Sequence, residues 1–112
     1  MKAVIYHNPR CTKSRQTLAL LREHDVDIEV IEYLDTPLDA KELRALLKKL
    51  GMRASEIVRR KEYRELGLPD TEDEDELVAL IAAHPKIMER PIVVVGKAAR
   101  IGRPPEQVLE LL

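Results

Sequence analysis

The chain has 112 residues, 19 basic and 20 acidic, with a net charge of -1, one cysteine and three tyrosines. That length suits a single domain with a real core, and the balanced charge and scarce aromatics exclude a basic, base-stacking nucleic-acid surface. No apolar run is long enough to cross a bilayer or to form a signal-peptide core, and one cysteine excludes an internal disulfide, so a reducing cytoplasm is the expected setting, with no membrane partner.

Residues 3–6 are a short apolar run and read as a buried strand. The polar stretch His7-Asn8-Pro9-Arg10-Cys11-Thr12-Lys13-Ser14-Arg15 follows it. A helix is predicted over about 14–23, with Thr17, Leu18 and Leu21 on one face. Residues 25–27 make a turn, and Ile28, Val30 and Ile31 a second strand ending near Tyr33. This spacing favours a parallel pair joined by a right-handed crossover.

A helical block comes next, over about 38–86. Asp39 with Glu42 three residues on is a capping-box start. Leu43, Leu46, Leu47 and Leu50 then recur at i, i+3, i+4 and i+7, and Gly51 closes the helix. A short second helix is predicted over about 54–60. Residues 62–69 read as irregular, with Leu66-Gly67-Leu68 a turn that buries two leucines. The acidic run 72–76 opens a third helix, where negative charge suits the helix dipole, and Pro85 ends it. Residues 91–95 are the strongest strand, Gly96-Lys97 a turn, and 98–101 the returning strand. A last helix begins at Arg103-Pro104-Pro105, with Val108, Leu109 and Leu112 as its core face. Without the helical block the order is βαβ followed by ββα, a thioredoxin-like mixed α/β sheet. The block is a three-helix insertion within one domain spanning 1–112.

Cys11 sits at a strand-to-helix junction. Unpaired amides at a helix start lower a thiol's pKa and also cradle an oxyanion. Arg10, Lys13 and Arg15 add positive charge nearby. On composition alone a lone cysteine reads equally as a small buried hydrophobe, and the polar flanks argue for the reactive reading. His24 and His84 read as a helix C-terminal partner and a capping residue. No His, Cys and carboxylate cluster has metal-ligand spacing, so no metal is expected.

The segments Ile5-Tyr6-His7-Asn8-Pro9-Arg10-Cys11, Ser14-Arg15, Ile57-Val58-Arg59-Arg60-Lys61, Leu66-Gly67-Leu68, His84-Pro85, Arg90-Pro91-Ile92-Val93-Val94 and Gly102-Arg103-Pro104 run nearly end to end. Together they resemble the glutaredoxin-coupled, ArsC-like arsenate reductases. The resemblance implies a thioredoxin fold, Cys11 as nucleophile, and His7 and Ser14 as residues favouring the thiolate; a monomer is expected. It implies oxyanion binding by Arg59, Arg90 and Arg103, with Arg60 a competitor to Arg59, and a cis Arg90-Pro91 bond. Arsenate is then the substrate and glutathione the co-substrate, with glutaredoxin as protein partner and no bound cofactor. Thr12-Lys13-Ser14 departs from the small residues many members carry after the cysteine. A phosphatase-type arsenate reductase is disfavoured, because its loop needs Cys-x5-Arg and position 17 is threonine. Two other functions fit the same resemblance. One is an Spx-type regulator binding RNA polymerase, although Ser14 stands where many of those carry a second cysteine. The other is a glutathione-dependent thiol oxidoreductase that does not act on arsenate.

Overall fold

A computed structural model describes residues 1–112. The chain divides into two compact units, one of residues 1–36 and 90–112 and one of residues 37–89.

The first unit is built on a four-stranded sheet in the order β2-β1-β3-β4. Strand β1 is Lys2–His7, β2 is Asp27–Glu32, β3 is Ile92–Val95 and β4 is Ala98–Ile101. β1 and β2 are parallel, with Ala3 opposite Ile28 and Ile5 opposite Val30. β3 runs antiparallel to β1 with Ile5 opposite Val93, and β4 antiparallel to β3. Helix α1, Thr12–Arg22, supplies the crossover between the parallel pair. Strand alternation puts Ala3 and Ile5 on one face of β1. There they form a core with Leu18 and Leu21 of α1, Val93 of β3 and Val108 near the C-terminus. The same alternation carries on to His7, which is also buried.

The C-terminal segment corrects the expected last helix. Pro105–Leu111 is a 3₁₀ helix. Pro105 and Val108 are buried and Leu111 packs on the core, a three-residue repeat that a 3₁₀ helix stacks on one side. Leu111, not Leu112, is therefore the inward residue.

The second unit is helical. Helix α2, Ala40–Leu50, starts with a complete Asp39/Glu42 capping box and ends on left-handed Gly51 at φ 68°. Its buried face is Leu43, Leu46, Leu47 and Leu50, each burial contributing about 1.5–3 kcal/mol. The predicted helix over 54–60 is broken in two. Ala54–Ile57 is a 3₁₀ turn, Val58 is extended, and helix α3 spans Arg60–Glu65, running into the stretch expected to be irregular. The cause is non-local: Val58 bridges Met88, with Arg59 N–H donating to Ile87 O and Glu89 N–H to Ile57 O, both at 2.7 Å. That pairing fixes an extended residue where local periodicity favours helix. Leu66 caps α3 and is 43% exposed, so the Leu66-Gly67-Leu68 turn does not bury both leucines. Helix α4, Glu74–Ala83, is capped by the Asp73 carboxylate on Glu76 N–H, with three acidic residues in its first turn. It packs against α2. Pro85–Ile87 follows as a 3₁₀ turn.

Candidate active site

The turn between β1 and α1 is tied down residue by residue. Cys11 N–H donates to Asn8 O at 3.0 Å, and Arg10 N–H to the Asn8 side chain at 3.0 Å. Arg15 reaches back from α1 and donates to Pro9 O at 2.9 Å. Cys11 is then the N-cap residue of α1, and its first helical turn contains no acidic side chain. A negative charge favoured at that position has one local source, the cysteine sulfur itself.

Cations converge on this sulfur. Arg103 Nη2 lies 3.4 Å from Cys11 Sγ, and Arg103 Nε donates to Arg90 O at 2.8 Å. Arg103 is thus a bracket between the backbone before Pro91 and the thiol. Both Arg90-Pro91 and Arg103-Pro104 are cis. Burial is the largest influence on the Cys11 pKa and pushes it up. The Ser14 amide, which faces the sulfur without closing a regular cap bond, works against burial. So do the Arg90 side chain and the charges of Arg103 and Arg90, and together they outweigh it. The net effect is a thiol that ionises more readily than a free one.

His7 and Ser14 form a buried pair, His7 Nδ1 to Ser14 Oγ at 2.7 Å, and Ser14 Oγ also accepts from Asn8 N–H at 3.0 Å. Burial, the main cause, lowers the His7 pKa. Glu32 opposes this, and Arg22 and Arg15 reinforce it. With His7 neutral and protonated on Nε2, the Ser14 hydroxyl donates to Nδ1. Burial thus favours the uncharged imidazole at His7. That ring holds Ser14, whose amide faces the sulfur.

Two residues of the site carry no chemistry and were not singled out as site residues from the sequence. A Cβ on Gly102 would fall 2.5 Å from Thr17 Oγ1 and 2.8 Å from Pro91 Cγ. Only glycine lets the segment before Arg103 lie this close to α1 and Pro91. Thr17 is fully buried and bonds to Lys13 O at 2.8 Å. The signal was the glycine directly before Arg103-Pro104.

Arg59 and Arg60 belong to the helical unit. Arg59 Nε pairs with Glu62 at 2.5 Å and Nη1 with Glu89 at 3.1 Å. Arg60 is exposed, with its guanidinium 5.7 Å from the Tyr63 ring. The sheet unit thus brings together Cys11, His7, Ser14, Arg90 and Arg103. His24 bonds Leu20 O at the end of α1, and His84 caps α4. No group of three His, Cys or carboxylate side chains is arranged to hold a metal ion. No helix is long and apolar enough to cross a membrane.

The family model of the ArsC family matches residues 6–111. The chain is 58% identical over 112 residues to "Uncharacterized protein YfgD" of Escherichia coli K12, covering 96% of this chain and 94% of that one. It is 46% identical over 112 residues to an arsenate reductase of Neisseria meningitidis, covering 96% of each. The structure of an arsenate reductase from Vibrio cholerae matches with a TM-score of 0.93 and 50% identity, over 100% of this chain and 98% of that one. The mixed four-stranded sheet is accordingly the thioredoxin-like α/β fold of these relatives.

Proposed function

This chain belongs to the ArsC family, and from that premise we propose that it is an oxidoreductase reducing arsenate to arsenite at Cys11. The observation that carries the reading is the guanidinium of Arg103 at 3.4 Å from the Cys11 sulfur, with Arg90 beside it on a thiol of lowered pKa. Arsenate carries about two negative charges near neutral pH, as phosphate does. Guanidinium forks match such oxygens bidentately and stay charged.

The Cys11 thiolate attacks arsenic and displaces hydroxide, giving a thiol-arsenate adduct. A glutathione thiolate then attacks the Cys11 sulfur. The new S–S bond forms as the S–As bond breaks, and its electron pair leaves with arsenic, so As(V) becomes As(III). Each sulfur gives up one of the two electrons. One cysteine in the chain means the second sulfur is external, and glutathione is the abundant small thiol of a reducing cytoplasm. Glutaredoxin then reduces the mixed disulfide on Cys11. The resemblance adds Arg59 as a third guanidinium for the oxyanion, with Arg60 as the competitor. The catalytic unit in this reading is the single chain.

The test is arsenite production by purified protein with arsenate, glutathione and glutaredoxin, beside a Cys11→Ser control. Arsenite formed only with Cys11 supports the reading. Background arsenite, together with rapid glutathione exchange at Cys11, would assign the chain to thiol oxidoreduction without arsenate.

A further inference from the structure

We propose that the cleft beside the Cys11 turn is the docking site of the thiol co-substrate, a γ-glutamyl peptide thiol with two carboxylates and one ammonium. The proposal rests on the thiol-dependent reading above and assigns it a place on the molecule. The cleft has a volume of about 380 Å³ and is lined by residues of the Asn8-Pro9-Arg10 turn and of the end of β2 and the segment after it, within the ~300–1,000 Å³ of small-molecule pockets. Its lining includes Arg10, Glu32 and Asp35, with the half-exposed Leu34 between the two carboxylates in sequence. His7, the buried partner of Ser14, is also part of its wall.

Three features favour this class of ligand. First, the cleft wall ends one residue before the nucleophile, and that wall is a fixed turn held by the Cys11 and Arg10 amides on Asn8. Second, the cleft holds one cation and two carboxylates that make no ion pair with one another. A zwitterionic ligand satisfies both signs: a carboxylate on Arg10 and the ammonium on Glu32 and Asp35. Third, the other two cations of the loop are engaged elsewhere. Arg15 is bonded to Pro9 O and Thr12 Oγ1, and Lys13 lines a separate cleft with Gln16 and Glu106. Of the three loop cations, Arg10 is the one that lines this cleft.

The experiment omits arsenate. The probe is glutathione disulfide, which Cys11 attacks to form the mixed disulfide and release one glutathione thiolate. The control probe is uncharged hydroxyethyl disulfide. Both rates are measured at equal thiolate fraction. Arg10→Glu is expected to slow exchange with glutathione disulfide about tenfold, the loss of one charge-assisted contact, and to change the control less than about twofold. Asp35→Asn supplies the decisive sign. Glutathione disulfide is a net anion, so simple attraction predicts that removing an acidic charge speeds it; a bound ammonium predicts that Asp35→Asn slows it, by about threefold. Faster exchange in Asp35→Asn, equal losses with both probes, or an equal loss in Lys13→Glu would each overturn the site. Arsenite formation is scored separately. Arsenite with no probe selectivity refutes the cleft alone, and probe selectivity without arsenite refutes the arsenate reading alone.

Discussion

The two units hold their half-buried arginines through different partners. In the helical unit the Arg59 guanidinium is matched by two carboxylates, Glu62 and Glu89. In the sheet unit Arg103 is steered by a backbone carbonyl, Arg90 O, and turns another nitrogen to sulfur. A backbone carbonyl orients a guanidinium through a hydrogen bond, whereas a carboxylate adds an opposite charge to that bond. The carbonyl-held Arg103 is one of the groups that lower the Cys11 pKa. Four sets of measurements bear on this contrast, in order of decreasing effect.

Cys11→Ser is the largest. A hydroxyl has no thiolate to offer, and arsenite formation is expected to fall more than about 1,000-fold, above roughly 4 kcal/mol of barrier. Arsenite assay measures it, and residual turnover above about one percent would place the nucleophile elsewhere.

Arg103→Ala is next. Losing one preorganised donor at the reacting oxyanion costs about 100-fold or more in kcat. The same substitution raises the Cys11 pKa, because Arg103 is one of the groups opposing burial, itself the largest influence. Thiolate absorbance against pH should show the midpoint moving up from a wild-type value below the free thiol's ~8.5. Arg103→Lys keeps a charge but not the two-point bracket, and should restore the midpoint more than the rate. A midpoint unchanged in Arg103→Ala would mean that the carbonyl-held charge does nothing for the thiol.

Much of this arrangement was legible in the sequence, and what was hidden was non-local. The capping box of Asp39 and Glu42, the leucine spacing of α2 and the βαβ start are local patterns, and all appear as read. The break at Val58 was invisible because Met88, thirty residues on, imposes it. The C-terminal 3₁₀ helix was misread because a three-residue repeat over seven residues also fits an α-helix. Cys11 and Arg103 stood out as residue types in a motif. That Arg103 reaches sulfur by way of Arg90 O depends on a bond spanning thirteen residues, which no periodicity encodes.

Arg59→Ala against Arg60→Ala sharpens the contrast from the other side. If Arg59 serves the oxyanion, its removal lowers kcat/KM for arsenate about tenfold while Arg60→Ala stays within about twofold. A reversed order, Arg60 costing more, would show that the motif match was displaced by one residue.

The smallest effect is the pH dependence set by His7. Its pKa in the folded protein lies below the ordinary 6.5, first through burial, with Glu32 only partly offsetting it. The unfolded chain therefore binds a proton at His7 more readily than the folded chain does. Stability is fully present above the unfolded pKa of about 6.5 and is lost as pH falls toward and through the lower folded value. Across that window a protonated imidazole also cannot accept the Ser14 hydroxyl at Nδ1, so acid loosens the residue whose amide faces the sulfur. Other carboxylates titrate nearby in pH, so the readout is a difference: Tm of wild type minus Tm of His7→Gln, followed from pH 7 downward. The difference should shrink as the pH falls, because glutamine has no proton to gain. A difference that stays flat through this range would mean that His7 keeps the same charge in both states, and that its bond to Ser14 is not a point where acid enters the site.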